Sequence, residues 1–180
     1  MITIVSSTNR KQSEALQFAR HYEQRLREKT DQEVKLLALE NIPHDWFHPD
    51  MYAKGGQSES LSALQDEYLL PAEKFVFIIP EYNGGVPGAL KLFIDGCSVR
   101  AYKPTFKGKK AALVGIATGR AGNLRGMDHM TDILHHVGTV VLPNKLPISS
   151  IERITDGDGQ ILDVPTLRVI DAQIEEFLNF

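Results

Sequence analysis

The chain has a single cysteine, Cys97, in 180 residues. No internal disulfide framework can therefore exist, and a reducing cytosol is the compartment this suits. No run approaches the roughly 20 apolar residues that span a bilayer. Neither sign of charge dominates: the formal net charge is −3, which gives no case for nucleic acid or an anionic membrane as partner. The first ten residues, MITIVSSTNR, lack a basic start and an adequate apolar core for a signal peptide, and they read as a first strand. No G-x-G-x-x-G is present, so a Rossmann-type dinucleotide site is not indicated. Repeats, low-complexity tracts and interdomain linkers are also missing, and one domain over 1–180 is the expectation.

What is present is an ordinary globular mixture, 42% hydrophobic and 24% charged, arranged in alternation. Short apolar segments at Ile2–Val5, Val34–Leu39, Lys74–Ile79, Lys110–Ala117 and Thr139–Leu142 read as strands. Helical spacing marks 11–29, 60–70, 87–97, 122–137 and 165–178. Residues 40–60, with two prolines and a Gly-Gly, read as a long loop. This order predicts a doubly wound, five-stranded parallel sheet with helices on both faces.

In such sheets ligands bind beyond the carboxyl ends of the strands. Three loops lie there: SSTNRKQS (6–13), PEYNGG (80–85) and ATGRAGN (117–123). All are rich in small, hydroxyl and amide residues. The first precedes a helix, whose N-terminal amides and dipole suit a phosphate. Ser6, Ser7, Thr8 and Ser13 add hydroxyls, Asn9 an amide and Arg10 a positive fork. A polar turn that caps the helix is the plainer reading of the same residues. In the second loop, Gly84 and Gly85 allow close backbone approach, Tyr82 offers an aromatic surface, and Asn83 both donates and accepts.

The stretch Pro80-Glu81-Tyr82-Asn83, followed by Pro87-Gly88-Ala89-Leu90-Lys91 and Ile94-Asp95, resembles the P-E-Y-N-x-x-x-P-G-x-L-K-x-x-I-D signature of the NAD(P)H-dependent FMN reductases. That family includes quinone, azo-dye and chromate reductases. The first loop is similar to the family's phosphate loop. It differs by Ser6, where many members have glycine, and by one more residue between Ser7 and Arg10 than in the shorter version.

The resemblance implies a flavodoxin-like fold with noncovalently held FMN. It puts the phosphate at Ser7, Thr8, Asn9, Arg10 and Ser13. It puts the isoalloxazine edge at Pro80, Glu81, Tyr82, Asn83 and Gly84, with Thr118 and Gly119, and Arg120 or Asn123, closing the far side. NADPH or NADH is implied as a transient co-substrate that delivers hydride to the flavin, and free flavin, quinones or similar small molecules as acceptors. No protein nucleophile or general base is required. A cytoplasmic homodimer or homotetramer without nucleic-acid or membrane partners completes the expectation. Two alternatives stand beside it: a flavodoxin-type electron carrier, and a non-catalytic binding module on the same fold.

Other features have plainer readings. His44 and His48 are four apart but bracketed by prolines and without a third ligand, which favours a loop over the active site. Trp46 and Phe47 could roof the flavin or pack against a partner subunit. Asp156–Gln160 resembles a calcium loop without its closing glutamate and reads as a turn. Cys97 reads as buried and inert. Arg120, Arg125 and Lys54 could meet a 2′-phosphate, with solvated surface charge as the default.

Overall fold

A computed structural model describes residues 1–180. Its strands are β1 (Ile2–Ser6), β2 (Val34–Ala38), β3 (Lys74–Pro80), β4 (Lys110–Ile116), β5 (Val140–Val141) and β6 (Leu146–Ile148). Its helices are α1 (Glu14–Lys29), α2 (Glu59–Leu64), α3 (Gly88–Cys97), α4 (Tyr102–Phe106), α5 (Leu124–His136) and α6 (Val164–Asn179). The strands run parallel in the order β2-β1-β3-β4-β5, the flavodoxin-like arrangement.

The central strand explains why both faces are covered. Side chains alternate along a strand, and in β3 Phe75, Phe77 and Ile79 enter one core while Val76 and Ile78 enter the other. The first core is closed by Leu90 and Phe93 of α3 and by Met127, Met130 and Leu134 of α5. The second is closed by Phe18, Tyr22 and Leu26 of α1 and by Ile170, Ile174 and Phe177 of α6. A strand buried on both faces must read as a continuous apolar run, and β3 does.

Several boundaries differ from the sequence expectation. The fifth strand, expected over Thr139–Leu142, is reduced to Val140–Val141, and β6 beyond it was not expected. β5 pairs only with Lys110 and Ala111, and β6 resumes the pairing against Val114–Ile116. Pro143, which has no N–H to give a ladder, lies at the break. The helix expected from residue 11 starts at Glu14, because Gln12 is left-handed at φ 55°. The one expected from 122 starts at Leu124, because Gly122 (φ 54°) and Asn123 (φ 59°) are left-handed. α2 continues as a π-helical turn over Gln65–Leu69. The short helix α4 was not expected; it is held by burial of Thr105 and Phe106.

Residues 40–60 are more ordered than an open loop. They contain two short 3-10 turns, at Leu39–Asn41 and Pro49–Tyr52. Trp46 is 3% exposed and meets the Phe93 ring edge-on at 6.1 Å. It packs into the core of its own chain rather than projecting from the segment. Its neighbour Phe47 stays 74% exposed. Cys97 is buried, and burial pushes its thiol far above the usual range.

Candidate functional site

β1 leads outward to β2, and the chain then crosses to β3 on the other side of β1. The strand order thus reverses between β1 and β3, the position where open α/β sheets take ligands. The register aligns Ser6 with Ile78 and Pro80 with Ile116, so the loops after β1, β3 and β4 leave one edge together.

The loop after β3 is a closed turn. The Tyr82 N–H donates to the Gly85 carbonyl (3.1 Å), and the Gly85 N–H donates to the Tyr82 carbonyl (3.0 Å). Asn83 and Gly84 between them have φ 52° and 75°. Two residues with positive φ inside reciprocal bonds make a type I′ turn, for which Asn-Gly is the favoured pair. The Gly85 amide is therefore used inside the turn and does not face a ligand. The Glu81 N–H is also engaged, with the Ile116 carbonyl at 2.9 Å. The amides of Asn83 and Gly84 make no hydrogen bond. The Glu81 and Asn83 side chains are exposed, and Pro80, Tyr82 and Gly84 are partly so.

The loop after β1 is held from outside itself. Ser7 is buried, its N–H on the Ile78 carbonyl (3.1 Å) and its Oγ on the Val5 carbonyl (3.2 Å). Thr8 Oγ1 accepts the Arg10 N–H at 3.2 Å and shares a hydrogen bond with the Tyr82 hydroxyl at 2.7 Å. That contact ties the first loop to the second. Asn9 and Arg10 are exposed, and the Arg10 guanidinium makes no ion pair. The amides of Thr8, Asn9 and Lys11 are free.

Ser13, the N-cap of α1, does not cap its own helix. Its Oγ and N–H donate to Glu40 Oε2 at 3.2 and 3.4 Å, and the Gln12 N–H donates to Glu40 Oε1 at 3.3 Å. A carboxylate from beyond β2 thus lies at the helix N-terminus. Sequence reasoning missed Glu40, because no local pattern links residue 40 to residue 13.

In the third loop Thr118, Gly119 and Arg120 are exposed at the same edge. Asn123 is not available there. It is fully buried, and its Nδ2 donates to the Ile79 carbonyl at 2.9 Å. It is a strut between β3 and α5 rather than a wall of the ligand site. A Cβ at Gly126 would meet Asn123 Oδ1 at 2.2 Å, so glycine there makes room for the strut. Arg125, in the first turn of α5, brings Nη1 to 3.4 Å from where a Cβ on Gly84 would lie. The turn after β3 therefore has a guanidinium beside it.

The remaining motifs take plainer places. No group of three His, Cys, Asp or Glu is close enough to hold a metal. His44 Nε2 lies 3.1 Å from the Leu39 carbonyl. Asp156 Oδ1 accepts the N–H groups of Asp158 (3.0 Å) and Gln160 (2.8 Å), which closes residues 156–160 as a turn. No helix is long and apolar enough to cross a membrane.

Fold and site together define a flavodoxin-like protein with an anion-accepting helix start next to an open, amide-lined turn. Residues 1–153 match the family described as NADPH-dependent FMN reductase, and the chain belongs to that family. An NAD(P)H-dependent FMN reductase from Pseudomonas aeruginosa is 29% identical over 143 residues, 79% of this chain and 75% of that protein. A quinone reductase from Escherichia coli K12 is 26% identical over 147 residues, 81% of this chain and 76% of that protein. The structure of a flavoenzyme NAD(P)H:(acceptor) oxidoreductase from Paracoccus denitrificans is similar with a TM-score of 0.74. It is 25% identical, covering 99% of this chain and 94% of that one.

The protein is an FMN-dependent oxidoreductase that uses NAD(P)H and acts on small molecules. The electron-carrier and binding-module alternatives fall with that assignment. The residues present fit FMN: the backbone and hydroxyl donors at the start of α1 already take a carboxylate, and Arg10 in the same loop is exposed and makes no ion pair.

Proposed function

We propose that the whole chain is one FMN-binding domain that passes electrons from NAD(P)H to free flavin, quinones or similar small acceptors. The observation that carries this reading is the hydrogen bond between Thr8 and Tyr82, which joins an anion-accepting loop to a turn with free amides across the β1/β3 switch point. Asn9, Arg10 and Ser13 hold the phosphate, with the buried Ser7 and Thr8 shaping the loop from below. Pro80, Glu81, Tyr82, Asn83 and Gly84 line the polar edge of the ring, and Thr118, Gly119 and Arg120 border its far side. When bound, the flavin supplies the hydride and electron chemistry. The chain orients it, and donors near the ring's polar edge favour the charge that grows there on reduction. Arg125 adds to those donors.

With FMN held by these loops, the exposed residues Asn83, Thr118, Gly119 and Arg120 would leave room for the nicotinamide and then the acceptor to approach at one place. Quinone-type acceptors are favoured because the curated relatives include quinone reductases. The protein works as a homodimer or homotetramer in the cytoplasm. Phe47 (74% exposed) and Tyr52 (62% exposed) project from the 42–53 segment and suit a subunit contact.

The test is spectroscopic. The protein is saturated with FMN and freed of excess, and NADPH or NADH is added without oxygen. The flavin bands should bleach, and a benzoquinone should restore them. Bound FMN that neither nucleotide bleaches would sink the reading, and bleaching without reoxidation by quinone would remove quinones as acceptors. Light scattering on the eluting peak checks the oligomer.

A further inference from the structure

We infer that Glu40 is an intramolecular stand-in for the cofactor phosphate, and that FMN displaces it on binding. The inference rests on the proposed placement of the phosphate at the start of α1. Three donors converge on this one carboxylate: the Gln12 amide, the Ser13 amide and the Ser13 hydroxyl. Their lengths, 3.3, 3.4 and 3.2 Å, lie at or beyond the long end of the ordinary range. The carboxylate thus has no short contact among the three donors that hold it.

Glu40 makes no ion pair, so the amides and the helix dipole alone compensate its charge. Arg10 and Lys11, both exposed, leave their charges unpaired as well and do not turn to Glu40. A phosphate monoester has more charge and one more oxygen than a carboxylate. It can engage the Ser13 donors and the two free cations together, which Glu40 does not. The glutamate keeps the donors satisfied while the site is empty, since an unmade bond at a buried donor is costly. Ser13 is such a donor, at 3% exposed.

The functional consequence is a specificity effect. Glu40 opposes the phosphate and has no quarrel with the ring, so it narrows the preference for FMN over riboflavin and makes the cofactor exchangeable. A flavin reductase whose flavin also leaves as product would be served by such a device.

The experiment titrates the apo forms of wild type, Glu40→Gln and Glu40→Ala with FMN and with riboflavin, following quenching of flavin fluorescence at one ionic strength. Both variants should bind FMN at least about tenfold tighter, about 1.4 kcal/mol, with riboflavin unchanged. Glu40→Asp, which keeps the charge but shortens the reach, is the second variant should the others fold poorly, and it should also tighten FMN, by less. FMN affinity that is unchanged or weaker in the variants overturns the inference: Glu40 is then a permanent helix cap and the phosphate lies elsewhere. Failure of wild type and variants alike to bind either flavin overturns the underlying flavin reading, and this inference with it.

Discussion

Residues 80–87 and residues 6–13 leave neighbouring strands at the same edge of the sheet, and they keep their shapes by different means. The turn after β3 closes within four residues, by two reciprocal backbone bonds around Asn83 and Gly84. It owes its form to residues adjacent in sequence. The loop after β1 has no such closure. It is pinned by Tyr82, 74 residues away, and by Glu40, 27 residues from Ser13. A self-contained turn is suited to presenting fixed amides to a flat ring. A loop whose helix end is held by long contacts to a distant carboxylate can change partner there, which suits an anion that comes and goes.

The largest expected effect separates the loops by ligand. Arg10→Ala should weaken FMN by about 1.5–3 kcal/mol, the worth of a charge-assisted hydrogen bond, and leave riboflavin nearly as before. Fluorescence titration of both ligands decides it. Equal losses for FMN and riboflavin would show that Arg10 does not meet the phosphate.

The turn should respond through its backbone instead. Asn83 is left-handed at φ 52°, so Asn83→Leu should cost about 1–2 kcal/mol of stability. Asn83→Gly keeps the turn accessible and should cost little, while still removing the side-chain amide. Urea unfolding of the two variants tests the conformational argument. If leucine is tolerated as well as glycine, the type I′ geometry is not what fixes this turn. Both variants should lower FMN and riboflavin affinity together, the opposite of the Arg10 pattern.

The contact joining the two loops is a smaller effect. Tyr82→Phe and Thr8→Val each remove one side of the hydrogen bond, and the coupling between them in a double-mutant cycle should be about 0.5–1.5 kcal/mol in FMN binding. Strict additivity would mean that the loops act independently and the comparison loses its link.

The smallest effect on flavin binding is expected from a control at the opposite end of the sheet. Lys109 donates to the carbonyls of Leu69 and Leu70 beneath the Phe75 ring, and burial draws its pKa down to about 8 from 10.5. A lysine lowered in the folded state binds fewer protons there than when unfolded. Its penalty is thus fully present below about 8 and fades as pH rises towards 10.5. Wild-type stability should rise relative to Lys109→Met across that window, with the FMN-to-riboflavin ratio untouched. A constant difference in urea midpoint would refute the shift.

Much of this protein could be read from its residues in order. The alternation of apolar segments and helical spacing is set by burial on two faces of a sheet, a regular demand that leaves a regular pattern. β3 follows from it, whereas the signature from Pro80 to Asp95 is legible as a resemblance to the FMN reductase family. The I′ turn was also within reach, since Asn83-Gly84 is the pair that tolerates two positive φ values. What the residues in order could not carry were pairings over distance. Glu40 meets Ser13 because β2 lies beside β1, Asn123 turns inward because the Ile79 carbonyl is there to receive it, and Trp46 is buried because α3 sets Phe93 against it. A local pattern records what a residue's own segment requires. Which donor meets which acceptor across the sheet is decided only when the strands are in register, since hydrogen bonds and ring contacts act over a few ångströms of space and are indifferent to separation along the chain.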